Sequence, residues 1–153
     1  MLTFTWLELL VLAIPECLIF VYGVYKLANK PIYAKRFTLS VLLMTLCGYL
    51  VRQLPIQFGV HTLITIMIFI IVSIYVNHIE MFKAITSILL LYIIRLVTEW
   101  FNFFLLQKIF SISIESLFDD PVKKVIYTLP SLFMFFISVF IVHYVKDNRW
   151  NKE

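Results

Sequence analysis

The feature that most constrains this chain is a set of long apolar runs, of which residues 64–76 (ITIMIFIIVSIYV) are the clearest example. Such a nearly continuous apolar run does not match a strand of a transmembrane β-barrel, in which apolar and polar residues alternate. An α-helix satisfies all of its own backbone hydrogen bonds, as a segment in lipid must. The runs therefore predict membrane-spanning helices.

The overall composition supports this interpretation. Hydrophobic residues make up 62% of the 153 residues and charged residues only 14%, whereas soluble domains average about 45–50% apolar and about 25% charged residues. A chain of this length has too little interior to bury so much apolar surface in water. With three glycines and no Ser/Gly-rich linker, residues 1–153 are expected to form a single polytopic membrane domain.

A spanning helix needs about 20 mainly apolar residues, and five segments meet this requirement. The prediction is an all-α integral membrane protein, a five-transmembrane-helix bundle with spans at residues 4–26, 37–54, 61–79, 81–106 and 122–145. The first segment has no basic region before it and no small-residue cleavage site after it, so we expect it to be retained rather than removed as a signal peptide.

Basic residues predict the orientation, because Lys and Arg accumulate on the cytoplasmic side. The first connection, the third connection and the C-terminal tail share one side and carry eight Lys and Arg, against four on the other side. The N-terminus is therefore expected outside and the C-terminus in the cytoplasm. The modest net charge of +4, placed at segment ends, suits the lipid bilayer and argues against a nucleic-acid partner.

Four ionisable residues lie inside the predicted spans, where such groups are costly and by default mark functional sites. They are Glu8, Glu16, Arg95 and Glu99. With a rise of about 1.5 Å per residue, Glu16 lies roughly 20 Å from the outer side and Arg95 roughly 18 Å from the inner side. Both depths fall near the middle of the bilayer, so these two residues are predicted to meet if the first and fourth helices pack together. Arg95 and Glu99 are four residues apart and offer an alternative pair.

Three residues, Glu8, Arg52 and Glu99, lie closer to the outer side and are expected to form a second, shallower cluster. Two interpretations of all these charges stay open: they attach helices to one another, or they form a ligand-binding or switching site. Proton conduction is less favoured, because the third and fifth spans contribute almost no acidic or histidine groups.

The connection between the second and third spans, residues 48–64 (GYLVRQLPIQFGVHTLI), is unusually polar for this chain. Pro55 is predicted to end the second helix, and Gly59 to allow a tight turn with positive φ. The polar residues Arg52, Gln57 and His61 are predicted to line the outer mouth of a cavity, where an arginine suits a carboxylate or phosphate. A compact hairpin without a binding role is the alternative.

Two further prolines, Pro15 and Pro130, lie inside predicted spans and are candidate hinges, together with Pro55 and Gly59. Ordinary membrane-helix irregularity is the alternative.

Catalytic and metal-binding motifs are not found. The sequence has no Gly-rich phosphate loop, no His-Glu-x-x-His and no Cys-x-x-Cys, and its three histidines lie on different segments. No catalytic residue, metal or cofactor is therefore predicted, and an enzyme is not expected. The two cysteines, Cys17 and Cys47, are interpreted as small buried hydrophobic residues.

Residues 50–64 (LVRQLPIQFGVHTLI) and 83–101 (KAITSILLLYIIRLVTEWF) resemble the membrane sensor region of clostridial-type histidine kinases related to the peptide-pheromone receptors of the accessory gene regulator (Agr) class. The features shared with that family are Glu16, the spacing Arg52-x-x-Pro55-x-x-x-Gly59-x-His61 and Glu99. Such receptors continue into a kinase domain that these residues do not contain, which implies a free-standing sensor-like subunit or an excised domain.

The resemblance implies a quorum-sensing type of receptor in the cytoplasmic membrane of a Gram-positive bacterium. It would bind a peptide, lipid or small amphiphile and signal through its cytoplasmic end to a partner membrane protein, or act as a homo-oligomer. A small membrane subunit of a transport or export complex and a structural partner subunit are the alternatives.

Overall fold

The protein is described from a computed structural model, which describes residues 8–54, 58–109 and 121–150. Nearly all of these residues are helical. A π-helical turn, Leu9–Ala13, runs into α1, Ile14–Leu27, and is followed by α2, Ala34–Gln53, α3, Phe58–Tyr75, α4, Met81–Ile109, and α5, Pro121–Trp150. The expectation of an all-helical fold is confirmed for these residues.

These helices have the length and composition of membrane spans. Four segments, Leu9–Leu27, Ala34–Gln53, Met81–Lys108 and Val122–Lys146, are long and apolar enough to cross a membrane, and Gly59–Tyr75 is a shorter apolar helix. Large apolar side chains also cover the outer faces, among them Leu42, Leu63, Met67, Trp100 and Phe133. A soluble monomer rarely exposes such extensive apolar surface, so the molecule is a helical bundle suited to lipid.

Helix α1 forms the centre of the bundle. Half of the apolar stretch that α1 forms with the preceding π-helical turn, Leu9–Leu27, is buried inside the bundle. In the other three long spans the buried share is 28–33%. Its Phe20 ring lies 5.5 Å from Phe69 of α3, 4.9 Å from Tyr92 of α4 and 5.1 Å from Phe135 of α5. Edge-on and tilted aromatic pairs at such distances are favourable, so this one side chain joins α1 to three neighbours.

Close packing of α1 against α4 and α5 depends on Gly23. A Cβ atom at this position would lie 2.8 Å from Leu91 Cδ2 and 3.2 Å from Val139 Cγ1. Small residues at helix contacts allow backbones to approach closely in membrane proteins. Gly23 therefore sets the spacing of the central three helices.

The backbone before Glu16 is irregular. The Ile14 N–H donates to the Leu9 carbonyl, a wider turn than in an α-helix, immediately before Pro15. A proline ring clashes with the carbonyl four residues earlier in a regular α-helix, and π-helical turns often accompany functional sites. The predicted irregularity at Pro15 is therefore present, whereas its role as a hinge stays a prediction.

The expected turn at Gly59 is wrong. Helix α3 already begins at Phe58, so Gly59 lies in its first turn, and none of the glycines in the described ranges has a positive φ. The left-handed residues are instead Asn29, with φ 54°, and His78, with φ 50°. Leu54, with φ −71° and ψ 139°, leaves the helical region before Pro55, as predicted.

Two lysine contacts show which segments share an end of the bundle. Lys30, after α1, donates from Nζ to the carbonyl of His78, which lies between α3 and α4. Lys146, late in α5, donates from Nζ to the carbonyl of Leu27 at the end of α1. We call this the basic end, because it gathers Lys30 of the first connection, Lys83 at the start of α4 and Lys146 near the end of α5.

A small polar group holds the basic end together. The amide oxygen of Asn77, which is buried, accepts a hydrogen bond of 2.9 Å from the Tyr25 hydroxyl and one of 2.6 Å from the Ser40 hydroxyl. Buried polar groups in lipid need such partners. The contacts join α1 and α2 to the connection between α3 and α4.

Candidate functional site

Arg95 is the centre of the candidate site. Its guanidinium is nearly buried, with 7% of the side chain exposed, and its Nε lies 2.8 Å from Glu16 Oε1. Its Nη2 lies 2.6 Å from Glu99 Oε1, one turn further along α4. The expected contact between Glu16 and Arg95 is confirmed, and Glu99 pairs with the same arginine rather than competing for it.

Helix α5 completes the surroundings of Arg95. The Arg95 Nη1 donates to the Ser131 hydroxyl oxygen at 3.4 Å, and that hydroxyl donates to the Thr128 carbonyl at 2.8 Å. The guanidinium also lies 6.0 Å from the centre of the Phe135 ring, within cation–π range. Nε and Nη1 of Arg95 therefore join α4 to α1 and α5, while Nη2 pairs within α4.

A second arginine approaches the same glutamate from α2. Arg52 Nη2 lies 3.9 Å from Glu16 Oε2, and the Arg52 side chain is 47% exposed, against 17% for Glu16. This distance is at the limit for an ion pair and far longer than the 2.8 Å contact with Arg95. Glu16 thus has a close contact with one nearly buried guanidinium and a longer contact with one half-exposed guanidinium.

The four side chains form one electrically neutral group, which we call the charge cluster: Glu16, Arg52, Arg95 and Glu99. Buried charges are tolerated when they are paired and hydrogen-bonded, and two arginines opposite two glutamates satisfy this condition. The grouping differs from the sequence expectation, because Arg52 and Glu99 join the deep pair instead of a separate shallow cluster. The reason is that α2 and α4 both pack beside Glu16, which sequence spacing does not reveal.

Glu8 forms its ion pair elsewhere. Its carboxylate, 2% exposed, lies 2.6 Å from the Nζ of Lys124 on α5. The predicted fifth span, residues 122–145, already contained Lys124 near its start, and the helix begins at Pro121, but the sequence did not predict the pair with Glu8. This pair joins the beginning of the described chain to the beginning of α5.

A cavity opens beside the charge cluster, between α1, α2, α3 and α4. Its volume is about 40 Å³, and Glu16, Arg52, Tyr49 and Tyr92 contribute polar atoms to its lining. The apolar part of the lining includes Phe20, Met44 and Phe69. This volume is enough for a few water molecules or for a small polar group of a larger ligand, and the half-exposed Arg52 belongs to its lining.

Of the three predicted mouth residues, the structure describes Arg52 and His61. Gln57, like Pro55, falls outside the described residues. His61 lies on α3 with its Nε2 at 3.1 Å from the Leu54 carbonyl and is not part of the cavity lining. The contact bridges the connection between α2 and α3, as a compact hairpin requires, so Arg52 is the predicted mouth residue that the structure places at the cavity.

Pro130 lies inside α5 near the charge cluster. Because proline has no N–H, it removes one backbone hydrogen bond from the helix. In the same turn, the Tyr127 carbonyl accepts a hydrogen bond of 2.8 Å from Nδ2 of Asn102, a buried residue on α4. This contact joins α4 to the turn of α5 that precedes Pro130.

Sequence reasoning missed several residues of the site. Ser131 and Lys124 on α5 contact Arg95 and Glu8, and Tyr92 and Tyr49 line the cavity. The sequence could have indicated Tyr92, because it precedes Arg95 by three residues and such neighbours share a helix face. No sequence pattern indicates Ser131 or Lys124, since their contacts depend on how helices that are distant in the sequence pack together.

The described ranges, 8–54, 58–109 and 121–150, contain no group of three or more His, Cys, Asp or Glu side chains that could hold a metal ion. Comparison of the chain with protein-family models, curated proteins and solved structures gives no significant match. The resemblance to sensor regions of Agr-class histidine kinases therefore stays a prediction, and function has to be inferred from the geometry.

Proposed function

We propose that this chain is a bacterial membrane sensor or regulatory subunit that binds a peptide, lipid or small amphiphile beside the charge cluster. It crosses the cytoplasmic membrane five times, with the N-terminus outside and the basic end in the cytoplasm. It signals through that end to a partner membrane protein or to a second copy of itself.

The observation that carries this proposal is the unequal hold on Glu16. Arg95 contacts it at 2.8 Å from a nearly buried position, whereas Arg52 approaches only to 3.9 Å and is half exposed at the cavity. An anionic group of a ligand contacts Arg52 without first breaking a tight buried pair. Glu16 and Arg95 remain paired, so ligand entry does not leave an uncompensated buried charge.

Binding at this position has a route to the opposite end of the bundle. Glu16 lies on α1 directly after Pro15, and α1 ends at Leu27, whose carbonyl accepts a hydrogen bond from Lys146. A ligand that draws Arg52 away from Glu16 changes the charge balance on α1. The protein then shifts towards the arrangement of α1 and α5 in which the ligand binds more tightly, at the expense of the arrangement without ligand.

The test is native mass spectrometry of the protein purified from membranes in a mild detergent. We expect the wild-type chain to retain an anionic amphiphile and Arg52→Gln to retain about fivefold less, since one charge-assisted hydrogen bond contributes about 1 kcal/mol or more. Lys108→Gln is the matched control, because it removes the same charge from an exposed position near the end of α4.

Equal retention by wild type and Arg52→Gln would show that the cavity edge is not the binding position. A chain that carries a partner protein but no amphiphile would instead support the alternative, a subunit of a transport or export complex.

A further inference from the structure

A second concave surface lies at the basic end, away from the charge cluster. It lies between the end of α1, the first turns of α4 and the last part of α5, and has a volume of about 430 Å³. Binding sites for small molecules typically measure about 300–1,000 Å³. We call this surface the inner groove.

The inner groove combines cationic and apolar groups. Lys83 and Lys146 contribute ammonium groups, while Phe82 and Leu90, both exposed, contribute apolar surface. Thr86 and Ser87 also line the groove, where the Thr86 hydroxyl donates to the Phe82 carbonyl at 2.7 Å, and Lys146 donates from Nζ to the Leu27 carbonyl. Because an ammonium group has three donors, both lysines offer hydrogen bonds to a ligand anion in addition to these contacts. Cationic groups beside exposed apolar side chains match a molecule with an anionic head and a hydrocarbon chain.

One acidic side chain belongs to the same surface. Glu80 also lines the inner groove, and its Oε2 lies 3.0 Å from the Nζ of Lys83. Two lysines and one glutamate leave the groove with one net positive charge. Both members of the Glu80–Lys83 pair are well exposed, at 62% and 59%, so a competing anion exchanges with Glu80 at little cost.

We propose that the inner groove binds one anionic phospholipid, with its phosphate between Lys83 and Lys146 and its acyl chain along Phe82 and Leu90. The groove lies where the apolar parts of α1, α4 and α5 end, which is the level of lipid headgroups for a spanning bundle. Basic pockets between spanning helices are a known means of binding anionic headgroups. Such a lipid joins α4 to α5 and stabilises the basic end.

The test is a titration of the detergent-purified full chain with phosphatidylglycerol, read by native mass spectrometry as the Kd of the first bound lipid. We expect Lys146→Gln and Lys83→Gln each to raise this Kd about fivefold, since one basic residue near an anionic headgroup contributes about 1 kcal/mol. Glu80→Gln should lower the Kd, because it removes the competing carboxylate. Phosphatidylcholine should bind more weakly and respond to none of these changes.

Two controls distinguish binding in the inner groove from diffuse attraction and from binding at the charge cluster. Lys35→Gln removes the same charge from an exposed position at the same end but outside the groove, and it should leave the Kd unchanged. If Lys35→Gln weakens binding as much as Lys146→Gln, the attraction is diffuse and the proposed site is wrong. If Arg52→Gln weakens binding while both groove lysine variants do not, the lipid occupies the cavity at the charge cluster, and the inner groove is likewise excluded.

Discussion

At the scale of single residues, Arg95 has the most demanding set of contacts. Its Nε, Nη1 and Nη2 contact three different side chains, on three helices. A planar guanidinium presents several donors in a fixed arrangement, which an ammonium group does not. The position therefore requires arginine and not merely a positive charge.

The charge cluster makes a prediction about double substitution. Arg95→Gln should destabilise the protein by about 3 kcal/mol, because removing one member of a buried pair leaves a charge without compensation. Glu16→Gln/Arg95→Gln should recover part of that loss, since the carboxylate that Arg95 neutralised is then also neutral. The measurement is the free energy of unfolding in detergent.

Lys83→Gln is the control for that prediction, because it breaks the exposed pair with Glu80 and should change stability by less than about 1 kcal/mol. If the separate losses of Glu16→Gln and Arg95→Gln simply add in the double variant, the two residues are not energetically coupled and the pairing does not contribute to stability.

At the scale of helices, α1 is the element on which the others depend. It supplies Glu16 to the charge cluster, Phe20 to the aromatic core and Gly23 to the closest helix contact. Its irregular start lies next to the charged residue that the proposed function uses. A change in α1 is therefore expected to reach α2, α4 and α5 together.

Gly23 allows a direct test of this packing. Gly23→Leu should destabilise the protein by about 2 kcal/mol, because added side-chain volume in a closely packed contact forces neighbours to move. Gly59→Leu is the matched control, since a Cβ atom at Gly59 meets nothing within 4 Å and leucine favours a helix over glycine. Thermal unfolding in detergent measures both, and equal midpoints would contradict the close contact at Gly23.

At the scale of the whole molecule, the two ends of the bundle differ in character. The basic end carries Lys30 and Lys146, which contact the His78 and Leu27 carbonyls. The other end carries the Glu8–Lys124 pair, and the charge cluster and its cavity lie towards it. Since Lys and Arg accumulate on the cytoplasmic side, the proposed orientation places the basic end in the cytoplasm.

Thiol labelling tests the orientation. In a Cys17→Ala/Cys47→Ala background, a membrane-impermeant maleimide added to intact cells should label Ser116→Cys, and should label Asn148→Cys only after lysis. The cysteine-free chain should stay unlabelled. The reverse pattern would place the basic end outside and would overturn the proposed direction of signalling.

The sequence determined the helical class and most helix positions, because long apolar runs in lipid leave the backbone few alternatives to the helix. It also predicted that Glu16 and Arg95 lie at a similar depth in the bilayer, since the rise per residue is nearly constant along a helix. It misplaced the turn at Gly59, because helix α3 starts earlier than its apolar run suggests and Asn29 and His78 take the left-handed conformations.

Only the tertiary structure decided the partners of the charged residues. Arg52 and Glu99 join Glu16 and Arg95, and Glu8 pairs with Lys124, because the five helices pack in one particular arrangement. Side chains that meet across helices lie far apart in the sequence, as the 79 positions between Glu16 and Arg95 illustrate. The periodicity of the sequence indicates which face of a helix a residue occupies. Which helix packs against that face depends on the arrangement of all the helices.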